Sequence, residues 1–368
     1  MNARWKAALF AALTAAFLAV AGPALAAGSK QTGEATASSA TAPGLTQAAV
    51  TAGKLSVGPG KVATIQQDLR AYWTSARMQA ALPADQAPSP AAAKAAQKTA
   101  IAKGSKPQPA GPVGKVAPQA PLTSSPAQKS VSRLKSLAYL PGYPYYSFPA
   151  RTAGKVFFTN ATNGKNYVCS GTIVNSEGKD VVWTAGHCVH GGAGGTWHRN
   201  WVFVPSYQNG WAPYGYWTPR QLWSMSNWIN SSDSASDMGA AVMNTNFGGW
   251  RIVDYLGGQG ITWNQSKYIT VTSFGYPAEA PFNGAWLWNC YGTTFPEWVV
   301  LFWSSETIGL PCDMTGGSSG GAWLAFFNGT TGYVDGHNDY KYDNNPGTMY
   351  SPYYDDTASS LFNSVRYL

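Results

Sequence analysis

From about residue 140 to the C-terminus, short strand-forming runs alternate with Gly- and Asn-rich turn clusters, and no long helical period interrupts them. The runs fall at residues 156–158, 167–168, 172–174, 181–183, 201–204, 268–271 and 322–327. Many short strands without intervening helices predict an all-β barrel or sandwich. Roughly 220–230 residues suit one large β domain or two small barrels. Aromatic side chains are dense here, with 14 of the 16 tryptophans between residues 183 and 323, so a substantial core is within reach. The end of the chain departs from the pattern. Asp355-Asp356 precede residues 358–368, which read as a terminal helix.

The part before residue 140 has a different physical character. Arg4 and Lys6 precede an apolar run over residues 7–20, which closes on Gly22-Pro23-Ala24-Leu25-Ala26. That run is short for a bilayer span and ends in the small residues of a cleavage site, so residues 1–27 read as an export signal. No later stretch has the ~20 continuous apolar residues of a membrane helix, and no membrane partner is expected. Residues 28–139 are rich in Ala, Pro, Lys, Gln, Ser and Thr and read as a disordered or weakly structured propeptide. Residues 62–82 stand out, with Ile65, Leu69, Tyr72, Trp73 and Met78 at roughly helical intervals. They read either as a docking element of the propeptide or as transient structure. Residues 1–149 carry 15 Lys+Arg against 3 Asp+Glu, and residues 150–368 carry 10 against 14. The net +8 is therefore +12 on the leader and −4 on the domain over 140–368. A nucleic-acid-binding fold would need its basic face on the folded domain, so that class is excluded. A basic leader before an acidic domain fits a segment that docks by charge or is discarded.

Cys169, Cys188, Cys290 and Cys312 all lie in the domain, which in an exported chain implies two disulfides with three possible pairings. The histidines are His187, His190, His198 and His337, and no Cys-x-x-Cys pair occurs, so the ligand spacing of a zinc site is absent and no metal or other cofactor is expected. His190 and His198 fall in a Gly-rich, exposed-looking loop and receive no role.

Three local motifs occur in a fixed order: Val182-Trp183-Thr184-Ala185-Gly186-His187-Cys188, Ser236-Asp237-Met238-Gly239-Ala240-Ala241-Val242, and Thr315-Gly316-Gly317-Ser318-Ser319-Gly320-Gly321-Ala322. The first leaves a histidine at the end of a β run. The second leads an aspartate into small and apolar positions, which favours Asp237 over Asp233 and Asp254. The third flanks a serine with glycines that permit positive φ and close approach of backbone to a substrate. Together they supply acyl transfer. Ser319 Oγ needs a base, His187 titrates near neutrality, and Asp237 would hold the imidazole tautomer. The amides of Gly317 and Ser319 would receive the oxyanion.

Thr-Ala-Gly-His-Cys, an aspartate before small and apolar residues, and Gly-x-Ser-Gly-Gly, in the order His–Asp–Ser, resemble the trypsin-like serine peptidases. Cys312-Asp313-x-x-Gly316-Gly317-x-Ser319-Gly320 and Met349-Tyr350-x-Pro352-Tyr353-Tyr354 are similar to secreted bacterial members near the glutamyl endopeptidases. The resemblance implies two six-stranded antiparallel β-barrels of the chymotrypsin type over residues 140–368, with a short C-terminal helix. It implies a secreted, monomeric serine endopeptidase whose partners are a protein or peptide substrate and its own propeptide. A Cys169–Cys188 bridge would pin the base, and a Cys290–Cys312 bridge would brace the loop before Ser319. Trypsins carry an aspartate directly before the nucleophile; Ser318 holds that place here, so activation by an ion pair with a new N-terminus is absent. Asp313, His337 and Asp339 are the specificity candidates. Asp313 stands six residues before Ser319, and His337 and Asp339 lie on the segment expected to line the pocket. Asp313 has the offset of the carboxylate that binds Lys or Arg in trypsins. A histidine at 337 would favour an acidic side chain, and Asp339 stands where relatives often carry Ser. The lean is to basic or broad specificity over glutamate. The alternative readings are a non-catalytic polysaccharide- or peptide-binding module on the same fold, which the tryptophans would suit, and an esterase.

Overall fold

The computed structural model describes residues 37–41, 67–84, 111–122, 144–300 and 303–368, all within one unit, Ala35–Leu368. The expected export signal, residues 1–27, and most of the expected propeptide, residues 28–139, lie outside the described residues. Among those described, no helix is long and apolar enough to cross a membrane.

Three strands precede the domain: β1 (Ala37–Thr41), β2 (Leu82–Pro83) and β3 (Gly114–Val116). The N-terminal half is built from β4 (Ala153–Thr159), β5 (Asn166–Val174), β6 (Val181–Ala185), β7 (Arg199–Pro205), β8 (Pro219–Met225) and β9 (Met238–Met243). The turn between β4 and β5 is local in origin. Asn160 Oδ1 accepts from the Thr162 amide at 2.9 Å, and Gly164 takes φ +72°. Antiparallel pairing runs β8-β9-β6-β5-β4-β7. Phe203 and Trp217 exchange both backbone hydrogen bonds at 2.9 Å, which returns β7 to the start of β8 and curls the sheet on itself. β4 is buried along its whole length, because its alternating side chains serve two cores. Phe157 packs with Val168, Trp183 and Val202, while Val156 and Phe158 pack with Ile173, Trp201 and Phe203.

The C-terminal half holds β10 (Gly260–Trp263), β11 (Thr270–Gly275), β12 (Trp288–Thr293), β13 (Phe295–Val300), β14 (Trp303–Pro311), β15 (Ala322–Ala325), β16 (Tyr333–His337), β17 (Tyr340–Tyr342) and β18 (Asn345–Pro352). Here the ladder is not one continuous six-stranded barrel. It divides into β12-β11-β15-β16-β10 and β13-β14-β18-β17, and β10 pairs with β16 in parallel. Apolar packing joins the two sheets, with Val271 and Trp323 of one meeting Ile308, Leu310 and Met349 of the other. The Cys290–Cys312 disulfide ties them covalently. The terminal helix forms over Asp356–Val365. Asp355 caps it by accepting from the Thr357 amide at 2.7 Å, and Ala358, Leu361, Phe362 and Val365 make the buried stripe. Trp183, Trp201, Trp217 and Trp323 are at most 2 % exposed, so these four build the core, whereas Trp211, Trp250 and Trp286 are exposed.

Pieces of the leader are integral to this architecture. β1 pairs antiparallel with β8, β3 with β10, and β2 runs parallel to β5. The expected helix over residues 62–82 is, in its described part, two short helical turns at residues 67–72 and Ser75–Ala80. Thr74 breaks it by capping the second turn, accepting from the Arg77 amide. The break turns Trp73 into the domain core, where it is 0 % exposed.

Lys155 of β4 is buried between the two halves, donating to Gly284 O at 2.8 Å over the faces of Phe157 and Tyr207. Burial pulls its ammonium down to about 7. The unfolded chain then binds more protons between that value and the ordinary 10.5, so stability rises with pH across the window. Measured by urea unfolding in a Ser319→Ala background, stability is expected to rise by about 2 kcal/mol from pH 7 to 9 through this group. Lys155→Met should flatten that rise; an unchanged slope would contradict the assignment.

Candidate active site

β6 ends at Ala185, and one 3-10 turn, Gly186–Cys188, projects His187 inward. Asp237 follows the turn Ser234–Ser236 and opens β9, the neighbour of β6 in the sheet. The pairing brings the two side chains together. His187 Nδ1 lies 2.9 Å from Asp237 Oδ2, and the His187 amide donates to Asp237 Oδ1 at 2.6 Å. One carboxylate thus holds both the ring and the backbone of the histidine. A Cβ on Gly186 would sit 2.7 Å from Asp237 Oδ1, which is why glycine precedes the histidine. Asp233 is occupied as a cap, accepting from the Ala235 amide and Ser236 Oγ, and Asp254 meets Gln119 Nε2 at 3.4 Å. Neither approaches the imidazole within hydrogen-bond distance.

Further groups fix the base that sequence reasoning missed. His190 and His198 are buried, not exposed, packed against Phe158, Trp197 and Trp228, although Ala193 and Gly194 at the tip of the glycine-rich loop are exposed. His198 stacks on Phe158 at 4.2 Å, and its Nε2 bonds to the His187 carbonyl at 2.9 Å. Burial lowers its imidazole to about 4, so it acts as a neutral donor. The Trp228 ring lies 6.2 Å from the His187 ring, centroid to centroid, in an edge-on arrangement. The stacking partner near the end of β4 and the ring after β8 lie too far from His187 in sequence to be signalled by its local motif. The Cys169–Cys188 bridge joins β5 to the residue after the histidine.

Ser319 sits on the tight loop before β15. Gly317 at φ +92° and Gly320 at φ +82° bend the chain on both sides of it, and a Cβ on Gly320 would lie 2.1 Å from Thr184 Oγ1. Asn338 pegs the loop: its backbone carbonyl accepts from the Gly320 amide at 2.7 Å, and its side chain bonds Ser273, Trp323, Phe274 O and Ser318 O. The amides of Ser318, Gly320 and Gly321 are used internally, whereas those of Gly317 and Ser319 have no partner among the described residues. Ser319 Oγ does not meet His187. It donates to the carbonyl of Ala84 in the leader at 3.3 Å, and His187 Nε2 has no hydrogen-bond partner among the described residues.

The three specificity candidates separate. Asp313 is exposed. His337 is 0 % exposed, bonded through Nδ1 to Tyr354 Oη at 2.8 Å, and burial lowers it to about 4, so its ring belongs to the core. Asp339 is buried with its Oδ1 3.3 Å from His187 Nδ1, placing it at the base and not on an open pocket wall. Burial alone would lower the His187 imidazole, but the neighbouring carboxyl groups, Asp237 and then Asp339, outweigh it and raise it.

Two β halves with the histidine and aspartate on one and the glycine-flanked serine on the other define a protein of chymotrypsin-type fold. No family model matches the chain. Among solved structures, the protease Anisep from Arthrobacter nicotinovorans is 41 % identical over 60 % of this chain and 97 % of its own, with a TM-score of 0.55. A thermostable serine protease, AL20, from an extremophilic microorganism is 39 % identical over 60 % of this chain and 98 % of its own, also at 0.55. A curated protein of Bacillus subtilis strain 168, named an extracellular metalloprotease, is 29 % identical over 142 residues, which is 38 % of this chain and 43 % of that protein. The chain belongs to the trypsin-like serine peptidases.

Proposed function

We propose that the chain is a secreted serine endopeptidase, exported by residues 1–27, held latent by residues 28–139 and acting through an acyl-enzyme on Ser319. The observation that carries this reading is the buried His187–Asp237 pair, with a serine loop whose Gly317 and Ser319 amides have no partner among the described residues. Asp237 accepts a hydrogen bond from Nδ1–H, which leaves the Nε2 lone pair for the Ser319 proton. Ser319 Oγ then attacks the peptide carbonyl, and the two amides receive the oxyanion, each donor contributing about 3 kcal/mol to the transition state. His187 Nε2 returns the proton to the leaving amine, and water repeats the sequence on the acyl-enzyme.

Latency follows from where the leader lies. Pro83 Cβ stands 3.0 Å from the position of a Cβ on Gly316, the Ala84 amide donates to Val168 O at 3.0 Å, and the Ala84 carbonyl holds Ser319 Oγ. An oxygen, not a carbonyl carbon, faces the nucleophile, so the bound segment is not poised for attack. Trp73 anchors it, donating to Asn200 O at 2.6 Å against the Phe157 ring, with Met78 buried beside it. Truncating a fully buried tryptophan costs about 3–5 kcal/mol. Trp73→Ala in the uncleaved chain should therefore raise the rate of fluorophosphonate labelling by about 10²–10³-fold, to the limit set by the freed enzyme. A rate equal to that of the unaltered uncleaved chain would sink this account of latency.

The name of the Bacillus relative invites a test for metal. Cys169 and Cys188 are joined in a disulfide and cannot ligate. His187, Asp237 and Asp339 bring three donor atoms within 4.8 Å of one another. However, His187 Nδ1 and Asp237 Oδ2 are 2.9 Å apart, a hydrogen-bond separation and closer than the roughly 3.3 Å kept by two ligands of a tetrahedral zinc. These residues do not fit a resident metal.

A further inference from the structure

Two carboxyl groups converge on one ring nitrogen that carries one hydrogen. Asp237 Oδ2 accepts its hydrogen bond at 2.9 Å, and Asp339 Oδ1 lies 3.3 Å from the same Nδ1. The side chains of His187, Asp237 and Asp339 are 0 %, 3 % and 1 % exposed. Asp339 is set there by its backbone, whose amide donates to Tyr350 O at 3.0 Å between β16 and β17, next to the pegged Asn338. Its Oδ2 is buried without a hydrogen-bond partner among the described residues.

We propose that Asp339 is a positioning residue that keeps its proton, a neutral carboxyl set against Asp237 that leaves the histidine a single negative partner. The inference rests on the peptidase reading above. Two carboxylates a few ångströms apart in a water-excluded site do not both ionise. Were both charged, the two carboxylates would hold His187 as imidazolium well above neutrality, and it could not accept the Ser319 proton at neutral pH. Burial, and then the charge of Asp237, push the Asp339 carboxyl well up, so the proton belongs there. The other titratable groups facing the pair do not alter this balance. His337 is neutral with its Nδ1 on Tyr354 Oη, Asp335 is itself pushed up by burial, and Lys341 Nζ is directed at Met314 O. Through the cycle Asp339 retains its proton while that of Ser319 passes to His187 Nε2 and on to the leaving amine.

The test is the pH dependence of kcat/KM for the mature enzyme and for Asp339→Asn, which keeps a neutral donor of the same shape. The acid limb of the unaltered enzyme should lie near neutrality and move by less than about half a unit in the variant. Any loss should be below about tenfold and fall on kcat, not KM. An acid limb well above neutrality in the unaltered enzyme, or one that drops by a unit or more in Asp339→Asn, would overturn the proposal by showing a charged Asp339. Asp339→Ser provides the same comparison should asparagine disturb folding. Independently of turnover, carbon-13 aspartate labelling of the Ser319→Ala chain should show a protonated carboxyl signal at pH 7 that vanishes in Asp339→Asn; a signal set unchanged by that substitution would also overturn it. This readout separates failure of the Asp339 assignment from failure of the peptidase reading, which fluorophosphonate labelling of Ser319 tests.

Discussion

Ser319→Ala is expected to lower peptide hydrolysis by about 10⁶-fold in kcat while leaving thermal unfolding of the protein nearly unchanged. The size follows from the chemistry. Without Oγ no acyl-enzyme forms, and what remains is water attack assisted by binding and by the Gly317 and Ser319 amides. Structurally the change is small, because Ser319 Oγ makes one hydrogen bond among the described residues, to Ala84 O at 3.3 Å, and the loop is held by Gly320, Gly321 and Asn338. Progress curves with casein, run beside a melting curve, check both halves. Substantial hydrolysis left in the variant would mean that another group carries the reaction.

Asp237→Asn is the second large effect. It should lower kcat by about 10⁴-fold with little change in KM. An asparagine amide directed at Nδ1 donates where the carboxylate accepts, so the ring turns to the tautomer whose Nε2 already bears hydrogen and cannot act as a base. The cost also reaches the backbone, since Asp237 Oδ1 accepts from the His187 amide at 2.6 Å. Asp233→Asn is the matched control. Its carboxylate caps the turn Ser234–Ser236, so a loss within about tenfold is expected. Comparable losses in the two variants would mean that Asp237 acts through folding alone.

Much of this site was legible in the sequence because its parts are local. Gly186-His187-Cys188 and Gly317-Ser318-Ser319-Gly320 are short motifs whose glycines serve backbone needs, positive φ in one and close approach in the other. The preference for Asp237 over Asp233 came from the apolar run behind it, which became β9, the strand beside β6. What was illegible depends on distant chain. His190 and His198 looked exposed among glycines because nothing nearby shows that Phe158 and Trp228 close over them. His337 and Asp339 looked like pocket residues because strand alternation does not reveal which face meets the core; the end of β16 and the turn to β17 bury both. The division of the C-terminal half into two sheets likewise rests on the long-range pairing of β14 with β18. The aromatic island around Trp73 was visible as a docking element or a transient helix, but its target, Asn200 O and the Phe157 ring, lies more than a hundred residues away in position for Asn200.

The central claim is that Ser319 is a nucleophile activated by His187. Fluorophosphonate treatment of the protein after removal of the leader, followed by mass mapping, tests it most directly. The expected result is a single adduct on the peptide containing Ser319, abolished by Ser319→Ala and greatly slowed by His187→Ala. No adduct, or an adduct that survives Ser319→Ala, would contradict it.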